Sequence, residues 1–376
     1  MSNSFHIDGI KAFTENNYEK AIALFLQSIE QYPEEVESHF YLAKSYFYND
    51  EKDQAIASIK KFIEVSNDKA KIANAYNLLG QCYEAKNSDA EALAYYEQAV
   101  KTDPSCAEAW NSRGLLCLKT AKEELEKEEL EKDVEAIHRL FTEAKSFIDQ
   151  ALNICSSFPL FLQGIALWYE QYTDILEVCI ENEIEARNAI KGHYIIAMDY
   201  YQKALSACRE DDSALRNIIF VNLTECKAQY GHCFYRNKEY KAARKIYLET
   251  LERDPDHLGV ITQIGMTYSK QECFPEARKY FFSILEKTLE EKEIADASLN
   301  IAYTYRLEKN LEEAEKALKR AEELAPDDTY VVAERKELMQ AKSAAALISA
   351  PQILLANSNP VSQPNLNHES LNFQYN

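Results

Sequence analysis

Few residues in this chain have the type and spacing to do chemistry. Cys226 and Cys233 stand seven apart, hence on one face of a helix, with His232 beside them. A tetrahedral metal site needs a third and fourth ligand, and no other cysteine or histidine pairs with these in sequence. They read as small apolar core residues, so no metal is expected. There is no G-x-S-x-G, no phosphate-binding glycine loop, no dinucleotide fingerprint and no H-E-x-x-H. Glutamate-rich stretches supply many carboxylate pairs, but nothing marks one as buried or poised. The expectation is no catalytic residue, no cofactor and no enzyme.

What positions side chains here is a repeat. "NNYEKAIALFLQSIEQYP" (16–33) returns as "KEYKAARKIYLETLERDP" (238–255). Glycine is scarce, with eight in the chain, and six of them (Gly9, Gly80, Gly114, Gly164, Gly231, Gly265) occupy one position of a helix-turn-helix unit; Ala43 and Ala302 occupy it in two more. An alanine follows on the second helix of each unit: Ala21, Ala55, Ala92, Ala144, Ala197, Ala243, Ala277 and Ala314. Two antiparallel helices approach closely only where side chains are small, so the small residue of helix A is expected to face the alanine of helix B. Tyr46, Tyr83, Phe234, Tyr268 and Tyr305 on helix A share a face with that small position. So do Phe25, Ile59, Tyr96, Ile148, Tyr201, Tyr247, Phe281 and Leu318 with the alanine of helix B. Pro33, Pro104, Pro255 and Pro326 stand where helix B must stop.

This pattern resembles the tetratricopeptide repeat, a helix pair of about 34 residues, over residues 2 to about 328. The resemblance implies an all-α fold, a right-handed superhelical solenoid of about eight such pairs, each burying its apolar face against its neighbours. It implies a protein-interaction scaffold or adaptor that holds a peptide or partner helix in a concave groove lined by helices A. The residues two before the small position would face that groove: Gln229, Gln263 and Asn300, amides suited to the N–H and C=O groups of an extended backbone. His232, Arg236, Lys270, Tyr303 and Arg306 lie further along the same helices. Their cations point to an acidic or extended peptide as partner, unless they neutralise neighbouring glutamates. The chaperone-tail clamp known in this family is not matched: its places hold His6, Ile10, Tyr41, Asn74 and Leu78.

Two units depart from the pattern. The fourth separates Gly114 from Ala144 with "KTAKEELEKEELEKDVEAIH", rich in helix formers and i,i+4 ion pairs. The fifth holds "WYEQYTDILEVCIENEIEARNAIKG", with Trp168, Tyr172, Ile175, Leu176, Cys179 and Ile180 near helical spacing. The two lengthened hairpins are expected to pack together as a central helical insertion, the aromatic one on the charged one. A second reading of function follows: a secreted effector or enzyme regulator whose central fin contacts a second protein. The expected segments are 2–118, 119–212 (the two insertions), 213–328, a capping helix at 329–348 and a disordered tail at 349–376.

A formal charge of −20 argues against nucleic acid as partner. Nine cysteines without a C-x-x-C pair suit a reducing compartment. No segment reads as a signal peptide, and "SAAALISAPQILLA" is too short to span a bilayer and contains Pro351. The expectation is a cytoplasmic protein without a membrane partner.

Overall fold

A computed structural model of the chain describes residues 4–127 and 133–349. Among these residues every regular element is an α-helix, and apart from the short insertion helix within the fifth unit the helices alternate as the A and B members of tetratricopeptide-type pairs. The chain divides into two compact units with the boundary at Thr267/Tyr268. In the first, α1 (Ser4–Thr14) pairs with α2 (Tyr18–Gln31), α3 (Glu37–Tyr48) with α4 (Lys52–Val65), and α5 (Lys69–Glu84) with α6 (Asp89–Thr102). The longer α7 (Ala107–Leu125) and α8 (Val134–Ile154) follow, then α9 (Pro159–Gln171), the short α10 (Thr173–Cys179) and α11 (Glu183–Ala207). Next comes α12 (Ser213–Arg236), one continuous helix that absorbs the extra residues before the sixth unit, paired with α13 (Tyr240–Leu251). The boundary falls inside α14 (Leu258–Ser269). The second unit holds α15 (Phe274–Lys287), α16 (Glu291–Leu307), α17 (Leu311–Leu324) and the closing α18 (Thr329–Ser349). The tail expected to be disordered lies outside the described residues, apart from Ser349.

The repeat positions form the core. All eight helix-B alanines, and all eight large residues four places after them, have 0% of their surface exposed. The small residue of helix A faces that alanine in the fourth unit, where a Cβ added at Gly114 would stand 3.0 Å from the Ala144 carbonyl and 2.5 Å from Ile148, but at Gly9, Gly80 and Gly231 it faces a ring. A methyl group added at Gly9 would meet the Phe25 ring at 2.6 Å, and one at Gly231 would meet Tyr247 at 2.6 Å; Gly80 meets Tyr96 in the same way. At Gly9, Gly80 and Gly231 glycine is the seat of an aromatic ring from helix B, sixteen residues on. Where helix A has alanine instead, the seated residue shrinks to aliphatic: Ala43 with Ile59, Ala302 with Leu318. The physical constraint is the summed volume of the pair, because a close-packed interior leaves no slack for a methyl group.

That constraint gives a testable pair. Gly80→Ala is expected to destabilise the chain by about 1–2 kcal/mol, overpacking against Tyr96 outweighing the better helix propensity of alanine. Adding Tyr96→Leu, which recreates the combination of the eighth pair, should recover part of the loss. Denaturant titrations of both single variants and the double variant read this directly; strictly additive costs would refute the pairing.

The turn from helix A to helix B repeats just as strictly. Asn16, Asp50, Asn87, Lys238, Glu272 and Lys309 all have φ between 56° and 67°, each seven residues after its small position. The next N–H closes back on helix A, as in Asn17 to Ala12 O (2.9 Å), Ser88 to Tyr83 O (2.9 Å) and Asn310 to Tyr305 O (2.9 Å). These are left-handed C-terminal caps, and none uses glycine. Asparagine and aspartate tolerate this backbone; lysine and glutamate pay for their Cβ. Lys309→Gly is therefore expected to stabilise by about 0.5–1 kcal/mol, seen as a raised melting temperature, whereas Asn87→Gly should be near neutral.

The long hairpins do pack on one another. Trp168 Nε1–H donates to the Phe141 carbonyl at 2.7 Å, and its ring stacks on Tyr172 at 4.7 Å between centroids. Ile137, Phe141, Trp168 and Ile175 are buried in one cluster, so the aromatic insertion lies against α8.

Candidate partner-binding faces

One cation of the expected stripe, Arg306, is already committed within the fold. Arg306 on α16 makes a two-pronged ion pair with Glu334 on α18, Nε to Oε1 at 2.6 Å and Nη2 to Oε2 at 2.9 Å. Its Nη1 lies 3.7 Å from Glu337, and its guanidinium lies over the Tyr303 ring. Glu334 is only 2% exposed, and burial pushes its carboxyl above the usual carboxylate range against the pull of Arg306. Sequence spacing alone made Arg306 a groove cation; the closing helix supplies its counter-ion. Asn300 is 6% exposed and its Nδ2 has no hydrogen-bond partner among the described residues. Near it in sequence, Asp296 is pushed up by burial and by Glu293 and Asp328, so acidic groups gather here. Lys270 is half-buried and forms no ion pair among the described residues.

In the first unit, Gln229 is exposed and its Nε2 donates to Glu225 at 2.7 Å. Glu225 in turn holds His257 at 3.4 Å, which raises the histidine's pKa and lowers that of the carboxyl. His232 stacks on Tyr235, and its imidazole is held below the usual range by burial and by Arg236. Arg236 is exposed and Gln263 half-buried. Cys226 is fully buried with its thiol toward the Tyr194 carbonyl (3.9 Å), and burial raises its pKa. Among the described residues, no three or more His, Cys, Asp or Glu side chains are placed to hold a metal ion.

A second face went unmarked in the sequence reading. Asn77 on α5 and Asn111 on α7 hold the same repeat position, are 7% and 6% exposed, and neither Oδ1 has a partner among the described residues. A buried amide oxygen left without a donor costs about 1–3 kcal/mol. Asn111 leans on Gly164, where an added Cβ would stand 2.7 Å from its Oδ1. That explains a glycine on α9 which seats no ring. On the neighbouring α3, Lys44 is half-buried with its ammonium 5.8 Å from the Phe13 centroid and 5.5 Å from that of Phe40. Burial lowers its pKa, and the opposing charge it feels is Glu108 on α7, two helices A away. Helices α3, α5 and α7 thus present one shared face. The signal was legible, since Asn77 and Asn111 are one repeat apart, but it needed burial to separate them from ordinary surface asparagines.

The tetratricopeptide-repeat family model matches residues 9–63, 42–105 and 90–131, and a second model of that repeat matches 295–328. Together with the seated rings and the repeated left-handed turns, this decides the family. The chain is a tetratricopeptide-repeat protein. Repeats of this family generally mediate protein–protein interaction. The chain is 24% identical to the human protein O-mannosyl-transferase TMTC3, covering 84% of this chain and 38% of that protein, so it spans well under half of that relative's length. Among solved structures, it is similar to MamA (22% identity, 53% of this chain and 93% of that one, TM-score 0.34). It is also similar to the C-terminal part of a tetratricopeptide-repeat protein of Cytophaga hutchinsonii (15% identity, 88% and 98%, TM-score 0.42). A thermophilic repeat protein of Thermus thermophilus is a third (18% identity, 59% and 97%, TM-score 0.42). No helix among the described residues is long and apolar enough to cross a membrane.

Proposed function

We propose that this repeat protein is a non-enzymatic interaction scaffold that holds an extended peptide across α3, α5 and α7. The observation that carries the reading is the pair Asn77 and Asn111: two enclosed amides at equivalent places on successive helices A, with hydrogen-bonding capacity the fold does not use. An amide gives and accepts hydrogen bonds, which matches the repeating polar groups of a backbone. Lys44, short of a paired carboxylate and flanked by aromatic rings, adds attraction for an acidic or aromatic residue in that peptide. The face of α12 and α14 bearing Gln229, His232, Arg236 and Gln263 belongs to the same reading as a further contact region. We place the protein in the cytoplasm, on the strength of its nine free cysteines.

The test is display selection of extended peptides on the wild-type chain, followed by affinity measurement on the variant Lys44→Met/Asn77→Ala/Asn111→Ala. Binding is expected to weaken at least tenfold while circular dichroism stays unchanged. Selected peptides that bind the variant as tightly as the wild type would remove this face from consideration.

A further inference from the structure

Seven of the eight helices B open with an acid in the first turn, where the positive end of the helix dipole favours it. Glu19 in α2, Asp53 in α4, Asp89 in α6 and Glu312 in α17 are among these. Helix α13 has no such acid, and Lys241 stands in its first turn. The stretch "RNKEYKAARK" (236–245) carries five cations and one acid in a chain of formal charge −20. That acid, Glu239, precedes the helix without capping it and is taken by a further cation, Lys191, at 3.0 Å. Glu249, one turn beyond Lys245, is taken by Lys227 at 3.2 Å. Lys238, Lys241 and Lys245 are exposed and form no ion pair among the described residues.

The three lysines are displayed together. Lys241 and Lys245 are four residues apart, on the side of α13 opposite Ala243 and Tyr247, which are fully buried. Lys238 holds the left-handed turn just before the helix. Like charges at this spacing repel, and cations at a helix start oppose its dipole, so the arrangement works against the helix that carries it. It makes a patch of positive potential on an acidic protein, and a bound anion is what relieves it.

The spacing narrows the choice of anion. Side chains one turn apart on a helix stand about 6 Å from each other. Alternate residues of an extended chain fall on one side, about 7 Å apart. A short acidic run can thus set successive carboxylates against Lys241 and Lys245. A membrane or a nucleic-acid duplex would reach well past a patch of two helical turns onto the rest of a protein at −20, where repulsion acts over about 8 Å. We propose that the exposed face of α13, through Lys238, Lys241 and Lys245, docks a short run of Asp and Glu side chains from a partner protein. This face lies on a helix B, apart from Asn77 and Asn111, and its contact stands whether or not a peptide occupies α3, α5 and α7.

The experiment follows the fluorescence anisotropy of a fluorescein-labelled peptide, six glutamates between glycine-serine ends, titrated with the full-length chain at low salt. The wild type is expected to bind it. The variant Lys238→Asn/Lys241→Glu/Lys245→Glu should bind at least tenfold more weakly while melting no lower, because its helix gains an acidic first turn. The control Lys20→Glu/Lys60→Glu/Lys69→Gln makes the same change of net charge at exposed lysines elsewhere and should bind within twofold of the wild type. Equal weakening in the two variants would overturn the proposal, since net charge rather than this face would then govern binding. A wild type that ignores the peptide would overturn it too, whether or not vesicles of phosphatidylserine bind through the same lysines. So would an α13 variant that melts clearly lower than the wild type, because the lysines would then serve the fold.

Discussion

Replacing Arg306 with methionine is expected to destabilise the protein by about 3–5 kcal/mol, because it strands the Glu334 carboxylate at 2% exposure without its counter-ion. Removing both charges together, as Arg306→Met/Glu334→Leu, should restore most of the stability, since an apolar pair of similar volume avoids desolvating two ions. The pair joins α16 to α18, so the loss should appear first as faster hydrogen exchange in the closing helix. Urea titration of the full chain checks the magnitude. A single variant that costs less than about 1 kcal/mol would mean that Glu334 finds water or protonates cheaply. The result also bears on ligand choice, because Arg306 committed to Glu334 and Glu337 has little charge to offer an acidic peptide.

The second large effect is a pH dependence located at Glu170 on α9. Its carboxyl is pushed up to about 7 by burial, against a donated bond from the Tyr201 hydroxyl (2.7 Å to Oε2) and the weaker attraction of Lys122, with Glu225 and Asp174 adding repulsion. The sign follows from linkage. The unfolded carboxyl releases its proton near its ordinary value of 4.5, whereas the folded one holds it to about 7. Stability at this site is therefore full below about pH 4.5 and falls as pH rises through 7, by about 3 kcal/mol in total. Glu170→Gln keeps the shape and removes the titration. Its unfolding midpoint should match the wild type near pH 4.5 and exceed it at pH 8. A wild type with the same pH slope as the glutamine variant would show that Glu170 stays ionised and hydrated.

The array was legible in the sequence because each unit is local. A helix pair closes within about 34 residues, so its small, aromatic and proline positions recur at fixed offsets that a single chain displays many times. The eight alanines and the eight large residues after them were all readable in this way, and all are fully buried. What the repeat could not disclose is which atoms meet. Gly80 looked like a partner for Ala92, but tertiary packing sets it under Tyr96, because the ring reaches one turn back along helix B and needs the missing Cβ. The left-handed turns were hidden because Lys238, Glu272 and Lys309 carry none of the usual glycine signal, and only the backbone angle reveals them. Polar positions were the least legible. Asn77, Asn111 and Arg306 look alike to a periodicity argument, all being polar residues on helices A. Their fates were decided by neighbours distant in sequence: Gly164 beside one amide, Glu334 across from the guanidinium, and no donor among the described residues for either amide oxygen. The repeat determined where the helices lie and which faces they bury. Charge partners and spare hydrogen bonds depend on single contacts between units, which no local offset encodes, so only the tertiary structure could assign them.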